Sequence, residues 1–325
     1  MARKFLAAAF FSICGLLAAG PPVSAQDYPT RSVRMIVPYV AGSPVDVFAR
    51  VLFQNVSTRL GQLIVIENRP GAGTTIGTRA AATADPDGYT LLLSGQGLAV
   101  VPYFYPKLDL DPVKNLVSIG SLAGWSHFMI VPNKMPVKSL AELVEHAKKN
   151  PGKLSFGFGL GTSPQILGEY FKTVAGVDIL SVPYKGGENA RQDLLAGQID
   201  INFVPLSNVA PLLQQVRVLA VTGSTRDRQM PDVPSMAESG YPQIGFNPDT
   251  WLAAYAPAKT PDAIVRKLNE MFNASLNSAE VRATLDKLGM NPMPGTPEEA
   301  DKFLIEQMKA WPPVLKAAKI NPVQQ

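Results

Sequence analysis

The feature that most constrains the fold is the alternation of short apolar runs with helical segments along the chain. Runs such as Val33–Pro38 and Leu154–Gly157 predict buried strands, whereas Val45–Gly61 and Pro164–Ala175 carry apolar residues at helical spacing. No strand or helix is predicted between residues 95 and 127. Strands that alternate with helices predict parallel sheets covered by helices on both faces. We therefore expect an α/β protein whose sheets are mostly parallel and flanked by helices.

Two extended runs divide the chain into two units. Phe128–Pro132 precedes a new helix, and Thr250–Pro257 precedes a helical tail. If both runs cross between the units, the second unit is an insertion in the first, and the two crossing strands form a hinge. We predict residues 26–130 plus 252–325 as domain 1 and residues 131–251 as domain 2. The length of 325 residues suits two domains of roughly 150 residues each.

The first 25 residues have the pattern of a secretory signal peptide. A positive start at residues 3–4 precedes an apolar stretch too short to span a bilayer, and "VSA" at residues 23–25 fits a small-residue cleavage site. We predict cleavage before Gln26 and a location in the periplasm. Cys14 is the only cysteine, so the mature chain forms no internal disulfide and depends on burial for its stability.

The charge balance argues against nucleic acid as a partner. The formal net charge of +4 falls to +2 when Arg3 and Lys4 leave with the leader, because the leader contains no acid. No run of Lys or Arg is present that could follow a phosphate backbone. An exported, cysteine-free chain of this size is typical of a bacterial periplasmic protein, and we expect a monomer.

The first motif of interest is "AGSPVD", residues 41–46, which joins an apolar strand to a helix. It has the form of a capping box with proline in the first helical turn, so Ser43 is the predicted cap and Asp46 reaches back. Such a helix start also presents backbone N–H groups that attract anions. In an open α/β sheet the motif lies beyond the carboxyl end of a strand, where ligands bind. A structural cap and an anion site are both open interpretations.

A second motif, "GFGLGTSP" at residues 157–164, has the same order of strand, glycine, Ser-Pro and helix. Its glycines let the backbone approach a neighbour closely, and Thr162 or Ser163 can cap the next helix. One such motif is weak evidence for a ligand. Two of them, one in each predicted domain, favour an anion site shared between the domains.

Other motifs give little support for a cofactor, a metal or catalysis. Gly71–Gly77 has the spacing G-x-G-x-x-x-G, which differs from the dinucleotide pattern, so we expect a turn before a helix that lines a cleft. His127 has no Cys, His or acid at metal-ligand spacing, His146 is expected in solvent on a Lys-rich helix, and no nucleophile motif stands out. Tyr184 follows a strand and is a candidate ligand contact, whereas Lys185 is expected in solvent. We expect no cofactor and no metal.

Several segments together resemble the Bug family, the periplasmic solute receptors of tripartite tricarboxylate transporters. They are Tyr28–Arg50, Glu67–Gly73, Pro86–Leu92, Val182–Gly186, Asp193–Asp200, Leu219–Thr222 and Ala256–Pro261. The resemblance covers the whole mature chain, and its specificity lies in the combination of segments.

The resemblance implies a two-lobe periplasmic binding fold of type II that closes on a carboxylate. In this family the carboxylate is held between the first strand-helix loop of domain 1 and the Gly-Ser loop of domain 2, through backbone amides, hydroxyls and ordered water. The candidate ligand contacts are Tyr39, Ala41, Gly42, Ser43, Asp46, Gly159, Gly161, Thr162, Ser163, Gln165, Tyr184 and Val204. Among them we interpret Asp46 as an organiser of the first motif, and Gly42 and Ser43 as direct contacts.

The chain departs from the family pattern at three places. Gly42-Ser43 replaces Gly-Gly, Gln165 stands where a His is frequent, and Val204-Pro205 stands where an Asp is frequent. Without that acid no carboxylate is left to pair with an amine, which disfavours an amino-acid ligand and favours a dicarboxylate or an aromatic carboxylate. The candidate aromatic walls are Tyr39, Tyr103, Phe158 and Trp251.

The predicted function is capture of a small carboxylate by domain closure, for delivery to the membrane permease subunits of a tripartite tricarboxylate transporter. A sensor subunit that presents the same ligand to a membrane kinase is an alternative, because its receptor chemistry would be identical. A periplasmic enzyme in the same fold is a weaker alternative, since the mature chain has few histidines and no cysteine.

Overall fold

The computed structural model describes residues 28–159, 162–245 and 249–322. They form a mixed α/β protein of two lobes, each a β-sheet flanked by helices, which confirms the predicted fold class. The predicted signal peptide lies outside the described residues. Within those three ranges, no helix combines the length and the apolar character needed to cross a bilayer.

The strands, numbered along the chain, are β1 (Val33–Val37), β2 (Ile64–Asn68), β3 (Thr90–Gly95), β4 (Leu116–Trp125), β5 (His127–Pro132), β6 (Ser155–Gly159), β7 (Leu180–Tyr184), β8 (Ile201–Pro205), β9 (Val216–Val221), β10 (Thr250–Pro257) and β11 (Asn291–Pro292). The helices are α1 (Pro44–Leu60), α2 (Thr75–Ala82), α3 (Gln96–Phe104), α4 (Pro112–Asn115), α5 (Leu140–Lys149), α6 (Ser163–Ala175), α7 (Gly187–Ala196), α8 (Leu206–Val209), α9 (Asp262–Leu276), α10 (Ala279–Leu288) and α11 (Pro297–Ala317). Single turns of 3-10 helix lie at Ala72–Thr74, Ala210–Leu212 and Pro242–Ile244.

The two sheets repeat one strand order. The first is β11-β4-β10-β3-β1-β2, and the second is β7-β6-β8-β5-β9. In the first sheet β1 lies between β2 and β3, and in the second sheet β6 lies between β7 and β8. Beyond β3 or β8 lies the strand that arrives from the other lobe, and β4 or β9 lies on the far side of that strand. That arriving strand, β10 or β5, and the short β11 run against the others. The remaining strands run in one direction within each sheet, which confirms the mostly parallel character.

Helices cover both faces of each sheet, so each lobe has two apolar cores. In lobe one, α1, α9 and α10 enclose a core that contains Phe48 and Phe272, and α2, α3 and α11 enclose another around Trp311. In lobe two, α5 and α6 cover Phe156, and α7 and α8 cover Phe128. The apolar runs of the sequence are therefore buried on both sides, as parallel strands require.

Three regular elements, α3, the single turn α4 and β4, lie in the stretch for which the sequence predicts none. β4 contains Ser118, Gly120 and Ser121, which hide its strand character, yet all three residues are buried. Small side chains are needed there because α9 packs on β4, and a Cβ on Gly120 would lie 2.7 Å from Asn269 Nδ2. α3 contains two valines and Pro102, which disfavour a helix, and its packing against α11 outweighs this local preference.

The chain crosses between the two sheets at two adjacent places. β4 ends at Trp125 and β5 begins at His127, whereas the return passage ends at Asp249, just before β10. The backbone N–H of His127 donates to Thr222 Oγ1 at 2.8 Å and to Asp249 Oδ2 at 3.1 Å, and Thr250 pairs with Trp125. The two passages are thus joined side by side, as a hinge would be. The predicted domain limits at residues 130 and 251 lie close to them and stay predictions.

Candidate functional site

The first motif, between β1 and α1, is closed by its own hydrogen bonds. Ser43 caps α1 and its hydroxyl accepts from the Asp46 N–H at 3.3 Å. Asp46 accepts from the Gly42 N–H at 2.8 Å, one residue earlier than in a capping box, and the Ser43 N–H is bonded to Val40 O. Amides that we expected to be available for an anion are therefore bonded within the motif.

Asp46 is the centre of these bonds. It is 2% exposed and accepts from Arg50 Nε and Asn68 Nδ2, both at 2.9 Å, as well as from Gly42. Burial by itself would raise the pKa of Asp46, but the hydrogen bonds from Arg50, Gly42 and Asn68 outweigh it and hold the pKa below its usual range. These contacts make Asp46 a charged organiser of the loop.

The second motif, between β6 and α6, reaches the other lobe. The Thr162 hydroxyl donates back to Gly159 O at 2.7 Å, and α6 has no side-chain cap. The Ser163 hydroxyl donates to Oε1 of Gln96 at 2.5 Å and accepts from Thr250 Oγ1 at 3.0 Å. Gln96 begins α3 and Thr250 begins β10, so Ser163 connects lobe two to two elements of lobe one.

The glycines of the second motif are needed for packing inside lobe two. A Cβ on Gly159 would lie 2.9 Å from the backbone nitrogen of Gly187, where α7 begins. A Cβ on Gly157 would lie 2.2 Å from Ile199 Cδ1. We expected these glycines to let the backbone approach a neighbour closely. That approach is made within lobe two, between β6 and residues at the start of α7 and just after its end. Gly161 lies outside the described residues.

A cleft of about 760 Å³ lies between the lobes, at the carboxyl ends of strands of both sheets. Tyr39 follows β1, Gln96 follows β3 and Trp125 ends β4, whereas Thr162 follows β6 and Val204 lies near the end of β8. Open α/β sheets bind ligands at this edge. The volume is within the roughly 300–1,000 Å³ usual for small-molecule sites.

The described lining of the cleft is mainly apolar. Its aromatic residues are Tyr39, Phe104, Tyr105, Trp125, Phe203 and Trp251, and its polar side chains are Thr74, Gln96, His127, Thr162, Ser163, Gln165, Asn208 and Thr250. No Asp, Glu, Lys or Arg is among the described residues of the lining. Burial raises the pKa of Tyr39 to about 12, so this hydroxyl also stays neutral.

Three buried polar atoms of the lining lack a hydrogen-bond partner among the described residues: Thr74 Oγ1, Gln96 Nε2 and Trp251 Nε1. An unpaired buried polar group costs about 1–3 kcal/mol, so such a cluster marks a place where a partner is expected. Two of the atoms are N–H donors and the hydroxyl can donate, which suits an anionic oxygen. Because Gln96 Oε1 accepts from Ser163, its amide nitrogen is the end available to a ligand.

The structure brings together five of the predicted ligand contacts in this cleft: Tyr39, Thr162, Ser163, Gln165 and Val204. The others that it describes do not line the cleft: Ala41, Gly42, Ser43, Asp46, Gly159 and Tyr184. In the first motif, Ala41 and Gly42 are exposed on the loop and Asp46 is buried beneath it.

Tyr184 is bonded within lobe two. Its hydroxyl donates to Asp193 Oδ2 of α7 at 2.6 Å. Desolvation, followed by the hydrogen bond and the charge of Asp193, raises the pKa of Tyr184 to about 12. Lys185 beside it is exposed, as predicted.

Two of the four candidate aromatic walls, Tyr39 and Trp251, line the cleft. The prediction was wrong for the other two. Phe158 is 4% exposed and packs beside Phe156 in the core of lobe two. Tyr103 packs beside α11 and its hydroxyl donates to Ile320 O at 2.8 Å.

The sequence pattern did not point to Gln96 and His127 as cleft residues. Gln96 comes two residues after the apolar run Thr90–Ser94, so its place near the carboxyl end of a strand was a usable signal. Thr74 belongs to the glycine-rich turn that we expected to line a cleft, and this expectation is confirmed. His127 has no local signal, because its partner Asp249 is 122 residues away.

A second hollow, of about 820 Å³, opens at the amino-terminal ends of β1 and β3. Its arginines are paired: Arg31 with Asp87 at 3.0 Å, and Arg34 with Glu67 at 3.5 Å. It lies at the end of the sheet opposite to the usual ligand edge, so the interlobe cleft is the better candidate. In the described ranges, no cluster of three or more His, Cys, Asp or Glu is arranged to hold a metal ion.

Comparison with known proteins agrees with the architecture. The sequence profile of a family described as the tripartite tricarboxylate transporter family receptor matches residues 48–320. Protein BugT of Bordetella pertussis is 36% identical over 315 residues, which cover 94% of this chain and 94% of that protein. These matches confirm the resemblance predicted from the sequence.

Solved structures show the same fold. R. palustris Rpa4515 with adipate superimposes with a TM-score of 0.76 at 32% identity and covers 91% of this chain and 100% of that one. MatC from Rhodopseudomonas palustris with bound malate superimposes with a TM-score of 0.70 at 29% identity and covers 89% of this chain and 100% of that one. Both bound molecules are dicarboxylates.

Proposed function

The chain belongs to the tripartite tricarboxylate transporter family of receptors, and from this premise we propose that it captures a small dicarboxylate or aromatic carboxylate in the cleft between its lobes. The observation that carries the proposal is the cluster of unpartnered donors at Thr74, Gln96 and Trp251. The adipate and malate bound by two relatives support a carboxylate as the ligand. The family is one of solute receptors and not of enzymes.

The polarity of the cleft favours a carboxylate without an amino group over an amino acid as the ligand. No described lining residue is an acid that could pair with an amine, and Val204 contributes an apolar surface. The aromatic side chains would cover the methylene chain of a dicarboxylate or the ring of an aromatic acid. A carboxylate oxygen would satisfy the donors of Gln96 and Trp251, which removes the cost of leaving them unpaired.

Capture would proceed by domain closure about the hinge formed by residues 125–127 and 249–250. Lobe one would supply Thr74 and Gln96, and lobe two would supply Thr162 and Ser163 at the start of α6. The Ser163–Gln96 hydrogen bond joins the lobes, so opening would break it. No Lys or Arg is among the described residues of the lining, so the donors of Gln96 and Trp251 would bind a carboxylate through neutral hydrogen bonds, which suits a receptor that must release its ligand.

The proposal also includes the cellular location of the protein and its membrane partner. Residues 1–25 would direct export, and the receptor would act as a monomer in the periplasm. The closed form would be recognised by the permease subunits of a tripartite tricarboxylate transporter. Uptake of a labelled carboxylate into proteoliposomes that contain such a permease should depend on added receptor. Uptake that is equal without the receptor would remove the transport role.

Thermal unfolding with a panel of carboxylates tests the ligand class. Adipate, malate and benzoate are compared with aspartate, glutamate and the uncharged adipamide. A ligand at about 100 times its Kd stabilises the folded protein by about 2.7 kcal/mol, which shifts the unfolding temperature measurably. We expect stabilisation by at least one carboxylate and none by adipamide. Stabilisation by amino acids only would refute the proposed ligand class.

A further inference from the structure

A buried histidine–aspartate pair lies at the hinge and borders the cleft. His127 is 5% exposed and Asp249 is 0% exposed. His127 Nδ1 lies 2.9 Å from Asp249 Oδ1, and the His127 backbone N–H donates to Asp249 Oδ2. The Thr222 hydroxyl also donates to Asp249. Thr250 Oγ1 lies 3.0 Å from both Asp249 Oδ1 and Ser163 Oγ, so its single hydrogen is shared between these two acceptors. The carboxylate is therefore surrounded by donors, and both crossing passages of the chain contribute to it.

This arrangement determines which end of the imidazole is available. An ionised carboxylate can only accept hydrogen bonds, so Nδ1 carries a proton and donates to Asp249. His127 lines the cleft, and no described residue bonds to its Nε2. Nε2 is thus the polar atom that the side chain can offer to a ligand. A ring whose Nδ1 is held by a carboxylate is fixed in orientation, as in many functional histidines.

Among the described residues, no other formal charge faces His127 from the elements packed around β5. Opposite it on β8 lies Pro205, the adjacent residue after β9 is Thr222, and α8 has no titratable residue. α7 packs on β5 through Ala190 and Leu194. Its charged residues are engaged elsewhere: Arg191 pairs with Glu188, and Asp193 accepts from Tyr184. Across the cleft, the other titratable residues of the described lining are Tyr39 and Tyr105.

We propose that His127 binds the second carboxylate of a dicarboxylate ligand as an imidazolium, with Asp249 as its positioning residue. In the protonated ring both nitrogens donate, Nδ1 to Asp249 and Nε2 to a ligand oxygen. One carboxylate would meet the donors of Gln96 and Trp251, and the other would meet the only cationic side chain that the described lining can provide. This inference rests on the proposed function and narrows it from carboxylates to dicarboxylates.

The inference separates dicarboxylates from monocarboxylates by a physical criterion. A charge-assisted hydrogen bond in a water-poor cleft is stronger than a neutral one. A monocarboxylate of the same length would leave the imidazolium without an anion, so the ring would stay neutral. Binding of the dicarboxylate would then take up a proton, so its affinity would fall as the pH rises.

The first experiment observes the ring directly and leaves His127 intact. The chain has two histidines, so the variant His146→Gln leaves His127 as the sole histidine, and His146 lies on α5 outside the cleft. Nitrogen-15 NMR of the labelled histidine is recorded with and without saturating dicarboxylate, chosen as the tightest binder from succinate to suberate. We expect both ring nitrogens to be protonated in the complex. A complex in which Nε2 stays unprotonated would overturn the inference.

The second experiment compares affinities in the variant His127→Gln, whose amide can still donate to Asp249. Calorimetry is performed with the same dicarboxylate and with the monocarboxylate of equal chain length. We expect the Kd for the dicarboxylate to rise at least about tenfold, and the Kd for the monocarboxylate to change by less than about threefold. His146→Gln is the matched control and should bind both acids as the unsubstituted protein does. Equal losses for both acids would assign His127 a structural role and overturn the inference.

Two outcomes separate this inference from the proposed function. If aromatic or other monocarboxylates bind but no dicarboxylate does, the inference fails and the carboxylate receptor stands. If no carboxylate of either panel binds, both fail. Proton uptake, measured by calorimetry in two buffers of different ionisation enthalpy, must accompany dicarboxylate binding and must be lost in His127→Gln.

Discussion

The two strand-to-helix motifs, one in each lobe, contain the same Ser-Pro pair but form different hydrogen bonds. In the first motif, Ser43, Gly42 and Asp46 bond to one another, and none of them lines the cleft. In the second motif, Ser163 bonds to Gln96 and Thr250 of the other lobe and lies in the cleft. The topological positions of the two are equivalent, since β1 lies between the parallel strands β2 and β3, and β6 lies between the parallel strands β7 and β8.

One residue accounts for the difference. Three positions after Ser43 stands Asp46, whose carboxylate accepts from the loop amide and from two side chains. Three positions after Ser163 stands Ile166, which is 8% exposed and packs with the core around Trp311. The second motif has no acid in its first turn to organise the loop, and the Ser163 hydroxyl bonds across the cleft. Two motifs with the same Ser-Pro pair thus differ in their contacts: the first is bonded within its own loop and the second bonds to the other lobe. The presence or absence of an acid three residues after the serine accounts for this difference.

The largest expected effect is on the stability of the first motif. Asp46→Ala should lower the free energy of unfolding by about 3 kcal/mol, because the donors of Gly42, Arg50 and Asn68 lose a buried charged acceptor. Urea unfolding at neutral pH measures the change. Asp262→Ala is the matched control, since Asp262 also pairs with an arginine four residues later but is 74% exposed. It should cost about 0.5 kcal/mol or less.

The same pair of proteins gives a pH test of the Asp46 bonds. Because its pKa is lowered in the folded protein, Asp46 contributes stability that is present above its unfolded pKa, near 4, and is lost as the pH falls through the folded pKa. The difference between the unsubstituted protein and Asp46→Ala should therefore shrink at about pH 3. A difference that is constant with pH would show that the carboxylate charge is not what organises the motif.

The next effect concerns the glycines of the second motif. Gly159→Ala places a Cβ 2.9 Å from a backbone nitrogen of α7, which cannot move without shifting the helix. We expect a loss of about 2 kcal/mol in the free energy of unfolding. Gly187→Ala, at the other side of the same contact, has nothing within 4 Å of its new Cβ and should be near neutral. Equal losses in both variants would mean that the close approach of β6 and α7 is not the reason for glycine.

Ser163→Ala tests the role of the second motif in binding. It removes the hydroxyl between Gln96 and Thr250 and one donor or acceptor of the cleft. We expect the affinity for the tightest carboxylate of the thermal panel to fall about tenfold, equivalent to about 1.4 kcal/mol. Calorimetry gives the Kd, and urea unfolding without ligand should show a smaller loss than for Asp46→Ala.

Ser43→Ala is the counterpart in the first motif and has the smallest expected effect. Removal of the α1 cap should cost about 1 kcal/mol in the free energy of unfolding. Because Ser43 does not line the cleft, the carboxylate Kd should change by less than about twofold. If Ser43→Ala weakened binding as much as Ser163→Ala does, the contrast between the two motifs would be wrong.

The parts of the fold that were predictable have local signals. The helical spacing of Val45–Gly61 and Pro164–Ala175 predicted α1 and α6 to within one residue at each end. α11 begins with a capping box formed by Thr296 and Glu299. β4 was missed because its serines and glycines conceal a strand whose burial comes from α9 and α11. In the site, Tyr39, Thr162 and Ser163 were predictable from their places after apolar strands. Gly42 also follows an apolar strand, yet it does not line the cleft, so this rule alone does not identify the contacts.

The sequence by itself determined the alternation of strands and helices, the caps of α1 and α11, and the absence of cysteine from the mature chain. Bonds such as Ser43 with Asp46 join residues three apart, so a helical turn is enough to form them. Only the tertiary structure decided that Ser163 meets Gln96, 67 residues away, and that His127 meets Asp249 across 122 residues. Those contacts depend on how the two lobes are placed about their shared crossing. Local preferences of the chain carry no information about that placement.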